Sequence, residues 1–209
     1  MFLADFESAV WNAAKQVFGV EMHGCAFHWA QSFQRQAAKL GLWEAVKDDA
    51  DMYMDMRRLQ HFHFLPPNHI LRVLVQLEIL YSSGMNDSHP VRKMLAYMRS
   101  TWVASTNHPL ASWSQFDATI RTSNGVESSH RKINKIIGTR PHLYIFISSI
   151  ESDAKGNVEQ ILAEGFSRDV RPGQIKRDHQ IQKLQQQYKE KALTMNDYLD
   201  KINRIYKPK

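Results

Sequence analysis

The chain has 209 residues, 43% of them hydrophobic and 23% charged, with a formal net charge of +6. That balance belongs to a folded protein and excludes a disordered or collagen-like chain. A single cysteine, Cys25, excludes an intrachain disulfide, and with no signal-like start or long apolar run the expected setting is intracellular and reducing. The charge is uneven: residues 166–209 carry eleven Lys/Arg against five Asp/Glu, while sixteen of each cancel over the rest, so the tail is the surface best suited to phosphate.

Met1 to Ala4 form a short apolar run that ends at Asp5, and Phe6, Ala9, Val10, Ala13, Ala14 and Val17 then recur at helical spacing. A strand, an acidic residue and a helix are predicted in that order. Asp5 would sit at the carboxyl end of its strand, where functional groups gather in open α/β sheets, or else cap the helix. Val20 to His23, bracketed by Gly19 and Gly24, reads as a second strand, and Phe27, Ala30, Phe33, Ala37 and Leu40 line a helix that Gly41 stops. Cys25 and His28, three apart near its start, point the same way. Two ligands do not close a zinc site; we read them as a structural pair, with zinc the less favoured alternative and His61, His63, His130 or His142 the available further ligands.

Between about 42 and 106 there is no phosphate-binding motif and no alternating strand. Trp43, Val46, Met52, Met56 and Leu59 give one helical stripe, Ile70, Leu71, Val73, Leu74, Leu77 and Leu80 a second after Pro66-Pro67, and Val91, Met94, Leu95 and Met98 a third. His61 and His63 are two apart, a spacing that puts their imidazoles on different faces of a helix. Residues 107–118 read as a loop that Trp113 and Phe116 anchor against the next helix. That helix is capped by Ser123 or Asn124, carries Glu127 in its first turn, and has Val126, Ile133 and Ile137 as its apolar stripe.

Pro141 opens a further helix with Leu143, Phe146, Ile147 and Ile150 on its inner face, and Gly156 and Gly165 loosen the pattern. Arg171-Pro172-Gly173 signals a hinge. Two basic helices follow, with thin stripes of Ile181, Leu184 and Tyr188, then Tyr198, Leu199, Ile202 and Ile205, and with Thr194 and Asp197 spaced as a capping box. The expected organisation is a domain over residues 1–165, with a helical insertion at about 42–106, and a basic helical tail over 166–209.

Three motifs stand in order: Ala4-Asp5-Phe6-Glu7-Ser8-Ala9, then Gly24-Cys25-Ala26-Phe27-His28, then Arg121-Thr122-Ser123-Asn124-Gly125-Val126-Glu127-Ser128-Ser129-His130. Together they resemble the later part of a Mutator-like (MULE) transposase domain, whose segments read Asp-Phe-Glu-x-Ala, Gly-Cys-x-Phe-His and Arg-Thr-Asn-Asn-x-x-Glu-x-x-His. Ser123 stands where the family has its first Asn, and the resemblance covers about residues 3–150.

The resemblance implies a ribonuclease-H-like core, here mainly α with a small remnant of the α/β sheet. Asp5 and Glu127 would be the second aspartate and the glutamate of a DDE triad, holding Mg²⁺ or Mn²⁺, and Arg121, Asn124 and His130 would support them or touch the DNA end. The first aspartate of the triad and its strands have no counterpart here, so the chain is expected to be a truncated core without activity of its own. DNA at transposon ends is the expected partner, in a nuclear or intracellular setting; a truncated transposon relic, an incomplete gene or a piece that completes its sheet with another chain would each account for the absent strands, and no membrane and no small-molecule substrate are expected. The alternative is a non-catalytic DNA-binding or protein-interaction module derived from a transposase, binding through its basic tail.

Overall fold

The computed structural model describes residues 2–122, 131, 133–135, 137–138, 141–164 and 172–206, and these are mainly helical. They divide into two units, one formed by residues up to Thr122 together with those from Arg177 onward, the other by those between Ser123 and Lys176.

The first unit opens with β1 (Phe2–Ala4), α1 (Ser8–Phe18) and β2 (Met22–Gly24). The strands pair in parallel, Phe2 opposite Met22 and Ala4 opposite Gly24, the pairing that an intervening helix permits. Trp11 is the buried residue of α1, and Gly19 ends the helix at φ +60° with its N–H on the Lys15 carbonyl. In α2 (Ala26–Leu40) the buried residues Ala26, Trp29, Phe33 and Ala37 recur at three- and four-residue intervals, and Gly41 stops it at φ +62°. The expected helical insertion is α3 (Leu42–Val46), α4 (Ala50–Leu59), α5 (Pro67–Leu80) and α6 (Pro90–Tyr97), the last continued by a π-helical stretch, Met98–Val103. Within residues 107–118, read as loop, a short helix α7 (Leu110–Trp113) forms, with the Ser112 N–H and hydroxyl both on the Pro109 carbonyl.

In the second unit, residues 131, 133–135 and 137 are helical, and Gly138, at φ +74°, donates its N–H to the Asn134 carbonyl. Helix α8 (Leu143–Glu164) runs unbroken through Gly156. The loosening expected there does not occur, because one glycine costs a helix only about 1 kcal/mol. Leu143, Phe146, Ile147 and Ile150, expected on an inner face, are 41–66% exposed. Periodicity identified an apolar face but not a neighbour to cover it.

Helix α9 spans Pro172–Lys189, so Pro172 and Gly173 of the expected hinge lie in a helix, while Arg171 lies outside the described residues. After it comes α10 (Met195–Ile205), capped by the Thr194 hydroxyl oxygen, which accepts the Asp197 N–H. Ile181, Tyr198, Leu199 and Ile202 are fully buried in one cluster with Trp29, Phe33, Met56, Leu59, Leu74 and Met98. The boundary drawn at residue 166 from composition therefore differs from the division in the fold, which joins residues from 177 onward to the first unit.

Candidate active site

Asp5 follows β1 and is exposed, its Oδ1 accepting the Glu7 N–H at 3.3 Å. Its backbone is fixed from α1: the Trp11 indole N–H donates to the Asp5 carbonyl at 2.5 Å. The next residue, Phe6, meets Trp102 edge-on at 4.7 Å and His108 at 5.4 Å, and His108 in turn lies edge-on to Trp11 at 4.5 Å. Burial, and then the Lys15 ammonium, lower the His108 imidazole below its ordinary pKa, so near neutral pH this ring is an uncharged member of the aromatic group. Asp5 is thus a carboxylate free to face solvent on a backbone that is not free to move.

The second motif adjoins the end of β1 and is bonded to Arg121, the first residue of the third motif. Cys25, fully buried, donates its N–H to the Ala4 carbonyl at 2.8 Å, and Ala26 donates to the Arg121 carbonyl at 2.8 Å. Gln115 closes the same corner, its amide donating to the Gly24 carbonyl at 2.7 Å while the Gln185 amide donates to the Gln115 carbonyl at 3.3 Å. The second segment is therefore bonded through its backbone both to the end of β1 and to Arg121, at the end of a parallel sheet where functional groups collect.

Arg121 is 5% exposed, its side chain donating to the Ala118 carbonyl at 2.9 Å and forming an ion pair with Asp178 of α9. Its guanidinium therefore faces inward, and what Arg121 offers the site is the position of its own main chain. His28 is half-buried beside Phe27, with ring centroids 5.4 Å apart. Trp113, read as an anchor, is fully buried and stacks on Trp29 at 5.7 Å; Phe116 lies edge-on to Tyr188 and Tyr198, with the Lys189 ammonium 5.5 Å over its ring. The anchoring surfaces are thus α2 and the tail helices. Asn124, Glu127 and His130 lie outside the described residues.

Among the described residues no three His, Cys, Asp or Glu side chains group so as to hold a metal ion. Asp5 by chemistry suits a hard divalent cation, being an exposed carboxylate. No helix of the described residues is long and apolar enough to cross a membrane.

Spacing alone did not point to Gln115, Trp11 or His108. An indole N–H six residues after Asp5 is a signal that could have been used; a buried glutamine in a loop leaves none. Comparison with known proteins gives no match to any protein-family model, curated protein or solved structure.

Proposed function

We propose that this chain is the C-terminal part of a Mutator-like transposase core, in which Asp5 and Glu127 are two of the carboxylates that hold Mg²⁺ or Mn²⁺ for DNA strand cleavage and transfer. The observation that carries the reading is the meeting of the three motif segments, through the Cys25 N–H on Ala4 and the Ala26 N–H on Arg121, at the carboxyl ends of β1 and β2. Asp5 is already exposed there, and the chain passes from Arg121 to Glu127 in six residues.

Asp5 and Glu127 would hold the divalent ions, whose chemistry when bound would be to polarise the attacking and leaving oxygens of a phosphodiester. Asp5 supplies oxygen ligands from a turn that Trp11 and Phe6 immobilise. Arg121, held by Asp178, orients the strand of chain leading to Glu127, and Asn124 and His130 contact the DNA end. Cys25 and His28 serve as structural residues at the start of α2.

Titration of the full chain with Mn²⁺, followed by electron paramagnetic resonance, tests the assignment. Asp5→Asn and Glu127→Gln should each weaken binding by more than the roughly tenfold that loss of a ligand's hydrogen-bond partner causes. Unchanged Mn²⁺ affinity in both variants overturns the reading. Two carboxylates are one short of a triad, so the chain alone should bind metal without nicking DNA; robust nicking abolished by Glu127→Ala would show a complete site.

A further inference from the structure

Helix α8 begins with eight residues, Leu143 to Ile150, that carry no charge, and the six large hydrophobic ones among them are 41–85% exposed. Leu143, Ile147, Ile150, Ala154 and Val158 recur at intervals of four, three, four and four, which draws one stripe along the helix, and Val158 at its far end is 55% exposed. A helix of 22 residues is about 33 Å long and gains most of its stability by packing such a stripe against a neighbour.

Charge selects the neighbour. Residues 151–164 carry four acidic side chains against one basic, Lys155, so α8 is acidic on a chain whose net charge is +6. DNA and anionic lipid are repelled by it, and a protein face is the cover that fits. Glu151 and Lys155 are four apart and share one edge of the stripe. Asp153 lies on the other edge, where it accepts the Asn157 amide at 3.0 Å.

Two copies of α8 that run antiparallel about a two-fold axis set like edges against each other. With the axis at residue 153, Glu151 of each copy stands opposite Lys155 of the other, and the uncharged half of one helix lies along the acidic half of its mate. A parallel pair would set acidic half against acidic half and align both helix dipoles. We infer that α8 is the surface through which two copies of this chain associate, the stripe of one packed antiparallel on the same stripe of the other. This pairing is independent of the metal-binding reading and stands or falls separately from it.

Sedimentation velocity of the full chain between about 1 and 100 μM should show monomer passing into dimer. Ile147→Asp, within the stripe, should remove the dimer. Glu151→Lys and Lys155→Glu should each weaken it about tenfold, because two opposite pairs become two like pairs. An equimolar mixture of those two variants should associate about as tightly as the wild type, since every pair across the axis is again of opposite sign. Asp153→Asn, which removes the one meeting of like charges on the axis, should tighten the dimer. Glu151 and Lys155 are exposed, so their reversal tests the pairing even where circular dichroism shows that Ile147→Asp disturbs the helix. A monomer throughout the range, a dimer that the charge reversals leave unchanged, or a mixture no tighter than either variant alone overturns the proposal.

Discussion

A methyl group on residue 24 would overlap the tip of the Phe6 ring, which Trp102, His108 and Trp11 hold from the other sides. Gly24 is therefore required for space at the end of β2, where the three motifs meet. Gly24→Ala should destabilise the chain by about 1–3 kcal/mol, the usual cost of overpacking, and trimming the ring in Gly24→Ala/Phe6→Leu should recover part of it. Urea unfolding of both variants checks this; a Gly24→Ala midpoint equal to the wild type would mean that the ring moves aside freely. The sequence marked Gly24 as the boundary of a strand and Phe6 as one apolar position in a helical stripe, and placed each in a motif, without relating one to the other. Which small residue lies under which large one depends on how β1 and β2 come together, and periodicity within one segment carries no such information.

Short elements were the least legible. A two-residue spacing separates imidazoles on a helix, yet the His61 and His63 ring centroids lie 6.3 Å apart, because His61, at φ −112° and ψ 13°, precedes the Phe62–Phe64 turn and is not itself helical. Both rings are buried, with Tyr206 beyond α10 lying 5.9 Å from His61 and Trp29 lying 4.4 Å from His63. Burial lowers the His61 pKa to about 4, the Arg57 carbonyl opposing the shift by accepting from its Nδ1–H. It lowers His63 well below the ordinary value, with His61 and Arg121 adding to the effect. The folded values lie below the unfolded value of about 6.5, so between the two the unfolded chain binds more protons. Stability is therefore full above pH ~6.5 and falls as the solution is acidified, by up to about 1.4 kcal/mol per pH unit for each ring. Urea midpoints at pH 7, 6 and 5 should decline in that order, and His63→Phe should flatten the decline. A midpoint independent of pH over this range would mean that the rings reach solvent. The longer helices were legible because Phe33 and Ala37, or Ile70, Leu74 and Leu77, repeat often enough to define a face, although Phe27, read onto that face, is 51% exposed and Trp29 is buried in its place.

Over the whole chain, composition suggests a cut at residue 166, with a basic appendage after it, and contacts do not follow that cut. The Tyr198 hydroxyl donates to the Phe64 carbonyl at 2.8 Å, Arg57 donates to Asn203 at 2.7 Å, and Arg58 binds Asp200. Lys189, one of the tail's basic residues, pairs with Asp117. A polar, lysine-rich helix reads as solvated surface because most of its residues are, while three or four buried positions tie it to the core. Ile181, Tyr198, Leu199 and Ile202 are fully buried, and removing a single large core side chain of this kind costs about 2–5 kcal/mol. Losing all four, about 8–20 kcal/mol on that scale, is as large as the roughly 5–15 kcal/mol that holds a typical domain together. Residues 1–165 expressed alone should therefore fail to fold cooperatively, with a broad thermal transition by circular dichroism and poorly dispersed amide resonances. Adding residues 172–206 as a separate peptide should restore part of the dispersion, because α9 and α10 bring back the missing face of the core. A sharp transition and dispersed spectrum from residues 1–165 alone would show that the tail is an appendage after all.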